Sequence, residues 1–283
     1  MSGKLCMVTG ANSGIGKETS RALARMGASV VMVCRNKSKG EDALQEISRD
    51  RANIGSLELM IADFASLDSV RKLAQEYKEK HDRLHVLVNN AGLILGHRVV
   101  TVDGMEETFE VNYLSHFLLT LLLLDTLKAS APSRIVNVTS AAHYTGHIDF
   151  DDLQEERKYG AMRSYCQSKL AQVLFTHELA NRLKDSGVTV NAVHPGSVRT
   201  SWGDEGGLLS IGIRIARPFL ISAQKGAETP VYVASSPELA DATGRYYSNK
   251  KEELSSKESY DQSVGKRLWD VSLKLAGLAQ SPV

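Results

Sequence analysis

Short apolar runs alternate along the 283-residue chain with segments whose apolar positions recur every three or four residues. The runs are "LCMVT" (5–9), "SVVMVC" (29–34), "LELMI" (57–61), "HVLVN" (85–89), "RIVNVT" (134–139) and "VTVNAV" (188–193). Their near-continuous apolar and β-branched content marks strands covered on both faces, the pattern of a parallel sheet. Between them, helical spacing predicts helices over about 15–27, 38–50, 66–80, 104–129 and 163–186. "GRYYS" (244–248) adds a last strand, about seven in all. Strand followed by helix, repeated through right-handed crossovers, gives an α/β doubly wound parallel sheet. With no internal repeat, linker or composition break, residues 1–283 read as a single domain.

Two segments have a second reading besides packing. Residues 201–222, "SWGDEGGLLSIGIRIARPFLIS", place an apolar helical patch after the sixth strand, where a substrate lid would sit. Residues 265–280 form a terminal helix whose Leu268, Trp269, Val271, Leu275 and Leu278 make a broad apolar face; its alternative is membrane-surface or partner contact. The most apolar stretch, "FLLTLLLL" (117–124), is far shorter than the about 20 residues that a membrane span requires. It reads either as a buried internal helix or as part of a homodimer interface. After "MSGK" the chain enters its first strand directly, so neither a signal peptide nor a transmembrane segment is expected, and a cytoplasmic location follows.

Composition is that of an ordinary globular protein, with 42% hydrophobic and 24% charged residues and a net charge of +1. The missing basic surplus argues against a nucleic-acid partner. Cys6, Cys34 and Cys166 are widely spaced and read as buried free thiols in a reducing compartment. His143 and His147 have no third ligand nearby, so no metal is expected. His194, before Pro195 at a strand end, reads as structural.

"VTGANSGIG" (8–16) joins the first strand to the first helix. Its glycines, Gly10, Gly14 and Gly16, are spaced unlike the G-x-G-x-x-G fingerprint but meet the same needs: a tight turn and close backbone approach to a pyrophosphate at a helix N-terminus. No G-K-[ST] ending follows, which disfavours a nucleoside-triphosphatase. After the second strand comes Arg35, with Lys37 and Lys39 behind it, where a dinucleotide fold reads the adenosine ribose. A basic residue there suits a 2′-phosphate, so NADP(H) is expected over NAD(H); the bland alternative is a solvated basic turn. Tyr165 and Lys169 lie four apart on one helix side. Tyr246/Lys250 and Tyr247/Lys251 share that spacing, so by itself it carries little.

"NNAG" (89–92) closes the fourth strand, and with it the chain resembles the short-chain dehydrogenase/reductase family, a Rossmann-type fold. "TGANSGIG", Asp63, "NNAG", "VNYLSHF", "IVNVTS", "YCQSK" and "VHPGSVRT" follow in the family's order across nearly the whole length. The resemblance implies roles residue by residue. Gly10, Ser13, Gly14, Ile15 and Gly16 would line the pyrophosphate, Asp63 the adenine, and Asn90, Ala91 and Gly92 the adenosine ribose. Pro195, Gly196, Val198 and Thr200 would hold the nicotinamide. The catalytic group would be Asn112, Ser140, Tyr165 and Lys169, with Ser140 binding the substrate oxygen and Lys169 the ribose hydroxyls.

The long Ser140-to-Tyr165 interval, with an insertion at about 145–160, is similar to the retinol dehydrogenase-like branch, as are "AAH", "DDLQ" and "YCQSKLAQVLFTHELA". Two features depart from that branch: no anchoring apolar segment leads the sequence, and Thr139 stands where a serine is common. A hydrophobic aldehyde or ketone, retinal- or retinol-like, is the implied substrate. Hydride would pass between nicotinamide and carbonyl carbon while Tyr165 exchanges a proton with the oxygen. An ammonium at roughly 5 Å contributes on the order of 3 kcal/mol at an effective dielectric of about 20, which predicts a Tyr165 pKa about two units below its usual value. Asn112 would keep its helix distorted so that water reaches Lys169. The rival readings are a dinucleotide-binding regulator with little turnover and a sugar-nucleotide epimerase or dehydratase; residues 200–283 leave little room for the latter's larger C-terminal domain.

Overall fold

A computed structural model describes residues 1–49, 55–196, 221–279 and 283. The strands are β1 (Leu5–Thr9), β2 (Ser29–Cys34), β3 (Leu57–Ile61), β4 (Val86–Asn89), β5 (Ser133–Val138), β6 (Val188–His194), β7 (Arg245–Ser248) and β8 (Lys251–Glu253). They form one sheet in the order β3-β2-β1-β4-β5-β6-β7-β8. All neighbours pair parallel except β7 with β8. One strand, β8, adds to the about seven expected. Its sequence, Lys-Glu-Glu, is exposed and has no apolar position to betray it. A hairpin makes it: Asn249 and Lys250 both take positive φ, 50° and 62°, as a two-residue turn between antiparallel strands requires.

Successive side chains of each strand enter opposite cores. From β1, Met7 joins Val31, Leu87, Ile135 and Val190 on one face, while Cys6 and Val8 join Val30, Met32, Val88 and Val136 on the other. Helices α1 (Gly14–Arg25) and α2 (Lys37–Ser48) cover the second face, sending in Leu23 and Ile47. Helix α3 (Leu67–Lys80) covers the first with Leu73.

The single helix expected over 104–129 is interrupted. A short turn, α4 (Glu107–Phe109), leads into a π-helical turn, Glu110–Leu114, then α5 (Ser115–Leu122) and, after a break at Leu123, α6 (Leu124–Ala129). Leu118, Leu119, Leu121, Leu123 and Leu124 are buried within this chain and only Leu122 is partly exposed, so the leucine-rich stretch packs internally. The long helix α7 (Ala161–Arg182) lies beside it. Helix α8 (Ala223–Ser235) adds Val233 to the second core, and α9 (Gln262–Leu275) buries Leu268 and Trp269 in the first. The Trp269 ring meets Phe117 at 5.1 Å and Phe175 at 6.0 Å, so this part of the helix's apolar face is satisfied inside the molecule. No helix among the described residues is long and apolar enough to cross a membrane. Residues 201–220 of the expected lid lie outside the described residues, as do Val198 and Thr200.

Candidate active site

The strand order reverses between β1 and β4, and a crevice of 580 Å³ opens there at the strands' carboxyl ends. Gly10, Ser13, Gly14, Ile15 and Gly16 line it. Ser13 starts α1 without a side-chain cap bond, and no acid occupies the first turn. The helix therefore offers free N–H groups and its positive end to an anion. Gly10 and Gly14 take φ of 66° and 55°. A Cβ on Gly16 would stand 2.3 Å from the Gly10 carbonyl oxygen, whereas the space beside Gly14 is open. This donor-rich cradle, open beside Gly14, fits a pyrophosphate.

Across the crevice, Arg35 and Asp63 stand at the ends of β2 and β3, with Nη1 and Oδ1 3.9 Å apart. The Arg35 side chain is largely exposed. Lys39 is absent from the described lining of the crevice; its backbone N–H caps onto Asn36 Oδ1 at 3.0 Å. Asn90, Ala91 and Gly92 form the wall after β4. The Asn90 and Ala91 backbone N–H groups donate to Thr9 Oγ1 at 2.8 and 2.9 Å, which fastens this turn to the end of β1. A Cβ on Gly92 would approach Asn112 Oδ1 to 3.1 Å and Lys169 Nζ to 3.6 Å. Pro195 and Gly196 follow β6, and Gly196 takes a φ of 87°.

Helix α7 carries Tyr165 and Lys169 into the same place. Lys169 Nζ lies 5.5 Å from the centre of the Tyr165 ring, and both residues are buried. The ammonium donates to the Val138 carbonyl at 3.2 Å and to Gln172 Oε1 at 2.9 Å. Ser140, just past β5, hydrogen-bonds with the Tyr165 side chain and accepts the Ala142 N–H at 3.2 Å. Asn112 sits in the π turn. Its Oδ1 accepts the Leu93 N–H at 2.7 Å, while its Nδ2 donates to the Leu93 carbonyl at 2.9 Å and to Ser168 Oγ at 3.0 Å. Asn112, Ser140, Tyr165 and Lys169 are thus gathered from three separate elements.

The electrostatics reverse one expectation. Tyr165 is pushed up from its ordinary value, because burial outweighs the hydrogen bond with Ser140. Burial pushes Lys169 down to about 7. The sequence spacing supplied the Coulomb attraction between the two groups but not the loss of water around both, and here desolvation wins. Tyr165 accordingly keeps its proton at neutral pH.

The histidines have structural partners. His143 Nδ1 donates to the Ser140 carbonyl at 2.7 Å and its Nε2 accepts the Ser256 N–H at 3.1 Å, so the neutral ring braces the backbone of Ser140. His147 pairs with Glu258 at 3.0 Å, and His194 Nδ1 accepts the Ala141 N–H at 3.3 Å. No group of three or more potential metal ligands occurs among the described residues.

Residues 4–206 match the family described as short chain dehydrogenase. Human retinol dehydrogenase 13 is 46% identical over 284 residues, covering 98% of this chain and 85% of its own. Human retinol dehydrogenase 12 is 45% identical, covering 98% and 87%. The chain belongs to the short-chain dehydrogenase/reductase family, retinol dehydrogenase-like branch. Among solved structures, an uncharacterized protein from Mycobacterium Paratuberculosis superposes with a TM-score of 0.81 at 32% identity, covering 100% of this chain and 96% of that one. A short chain dehydrogenase from Burkholderia cenocepacia J2315 in complex with NADP gives 0.69 at 25% identity, covering 87% and 96%. As a short-chain dehydrogenase/reductase, the protein is an oxidoreductase whose cofactor is a nicotinamide dinucleotide.

Several residues of this short-chain dehydrogenase/reductase support the site in ways that the sequence did not show. Thr139 donates to the main-chain oxygen of Lys169 at 2.9 Å, tying α7 to the end of β5. Buried Glu106 accepts the Thr108 and Phe109 N–H groups and the Ser164 hydroxyl, the last at 2.6 Å, so it joins the N-terminus of α7 to that of α4. In the inserted loop, the Tyr159 hydroxyl donates to the Leu95 carbonyl at 2.7 Å. Glu106 fell inside the helix expected over 104–129, whereas it caps the start of α4, and its partner in α7 is 58 residues away.

Proposed function

We propose that the protein is an NADP(H)-dependent oxidoreductase that interconverts an alcohol and a carbonyl compound, its substrate a hydrophobic aldehyde or ketone of the retinal/retinol kind. The observation that carries this reading is the meeting of Ser140, Tyr165 and Lys169 at the carboxyl edge of the sheet, beside the glycine-lined crevice. The similarity to retinol dehydrogenases supports the substrate class.

In this reading Gly10, Ser13, Gly14, Ile15 and Gly16 hold the pyrophosphate, while Asp63 and residues 90–92 hold the adenosine. Arg35 engages a 2′-phosphate through its exposed guanidinium. Pro195 and Gly196, with Val198 and Thr200, flank the nicotinamide. The bound cofactor supplies or accepts the hydride. The Ser140 hydroxyl donates to the substrate oxygen as negative charge develops there. Protonated Tyr165 gives its proton to that oxygen during reduction and takes it back during oxidation. Lys169, titrating near 7, sits where its charge responds to the site and holds the ribose hydroxyls. Asn112 keeps the π turn locked to Leu93 and to Ser168, three residues after Tyr165 on α7.

The test is consumption of NADPH against a panel of aliphatic, aromatic and retinoid aldehydes and ketones, with NADH as control. Turnover of hydrophobic carbonyls with NADPH preferred is the expected result. NADPH binding without turnover of any of them would instead make the protein a dinucleotide-binding regulator.

A further inference from the structure

His116, on α5, is 2% exposed and lies between two walls of the site. Its Nδ1 is 3.1 Å from the main-chain oxygen of Asn112, and its Nε2 is 2.9 Å from Thr9 Oγ1. A carbonyl oxygen can only accept, so Nδ1 carries the proton and Nε2 is the acceptor of a neutral ring. The Thr9 hydroxyl therefore donates to His116 in preference to the Val88 carbonyl, which is 3.5 Å away. That leaves the lone pairs of the Thr9 oxygen for the two N–H groups that reach it, those of Asn90 and Ala91. Burial and the nearby charge of Lys169 push the imidazole down to about 3, which keeps the ring neutral and the direction of every bond fixed.

A continuous chain results. The backbone of the crevice wall donates to Thr9, Thr9 to His116, and His116 to Asn112 in the π turn. Single π turns within helices recur at functional sites, and in this one the His116 side chain, four residues on in the same helical run, takes up the Asn112 carbonyl. The Asn112 side chain grips Leu93 independently, so the end of β4 is tied to the helix at two points. Of these two ties, only the one through His116 reaches residues that line the crevice on the far side of Gly92.

We propose that His116 is a positioning residue: by bridging Thr9 and the Asn112 carbonyl, it sets the crevice wall at Asn90 and Ala91 and the distorted helix at Asn112 as one rigid unit. Dinucleotide binding and turnover are thereby coupled through a ring that touches neither cofactor nor substrate. This inference rests on the reading of the crevice as an NADP(H) site.

Three variants separate the two halves of the bridge, with NADPH affinity and carbonyl turnover measured on each. His116→Leu loses both bonds, and it weakens NADPH binding and lowers kcat by about tenfold each, the effect of removing a buried hydrogen bond. Thr9→Val, close in shape, loses only the wall, and it weakens binding while leaving kcat nearer wild type. His116→Asn places an amide donor where Nδ1 was, so kcat recovers while the binding defect remains. Should His116→Leu fail to fold, the Thr9→Val and His116→Asn pair still decides. Equal losses in kcat and affinity in both Thr9→Val and His116→Asn, or a lowered melting temperature with both parameters unchanged, would overturn the positioning role. A wild-type protein that neither binds NADPH nor turns over a carbonyl sinks the crevice reading as well; an active wild type with unaffected variants sinks the His116 inference alone.

Discussion

Replacing Lys169 by methionine should stabilise the protein at neutral and acidic pH while removing its activity. The amine titrates at an ordinary 10.5 in the unfolded chain and near 7 in the fold. That gap is worth on the order of 5 kcal/mol against the charged form. Because the folded pKa is depressed, the folded protein binds fewer protons than the unfolded chain between about pH 7 and 10.5, and wild-type stability rises with pH across that window. Methionine has a similar length and no charge to bury. It leaves the Val138 carbonyl and Gln172 Oε1 without their donor, at a cost of about 1–2 kcal/mol each. Below pH 7 the variant should therefore be the more stable by about 1–3 kcal/mol, a gain of several degrees in melting temperature. The advantage shrinks as pH rises and reverses toward pH 10. Chemical unfolding of both proteins at about pH 6.5 and 9.5 should show the stability difference moving by on the order of 3 kcal/mol. A difference that stays the same at both pH values would refute the claim that Lys169 is held in the fold at the expense of its charge.

Arg35→Asp should weaken NADPH binding by about 10- to 100-fold while NADH binding changes little, as titration of each nucleotide will show; equal loss for both would remove the phosphate role. Gly16→Ala puts a methyl group 2.3 Å from the Gly10 carbonyl, so the turn must shift, and loss of dinucleotide binding should exceed the about 1–3 kcal/mol loss in stability that overpacking brings. Trp269→Ala removes the aromatic contact that docks α9 on Phe117 and Phe175 and should cost about 3–5 kcal/mol in urea unfolding. A much smaller cost would mean that the terminal helix is only loosely attached.

The sheet was legible because seven of its strands either lie between two helical layers or carry clear apolar runs, and Met7 and Val8 show how each β1 neighbour serves a different core. β8 was not legible because its three side chains are all charged and exposed; its pairing comes from the turn at Asn249 and Lys250. The distortion at Asn112 was expected from the family resemblance, but the apolar pattern did not show it. Apolar periodicity runs on through Val111 and Leu114, while the bonds that Asn112 makes there reach Leu93 and Ser168, far away in sequence. Tyr165 and Lys169, like their companions, were singled out by the motif order and not by their spacing alone, and the direction of the Tyr165 shift depends on burial, which neither encodes. Thr9 and His116 lie 107 residues apart and become partners only once β1 and α5 are packed.

At the centre of the account stands Tyr165 as the group that trades a proton with the substrate oxygen. Tyr165→Phe keeps the buried ring and removes only the hydroxyl, so the fold and NADPH affinity should be retained. Single-turnover reduction of a hydrophobic aldehyde by this variant should be slower by about 100-fold or more, the scale of lost general acid catalysis. If the variant reduces the aldehyde at close to the wild-type rate, the phenol is not the proton donor and the proposed chemistry is wrong.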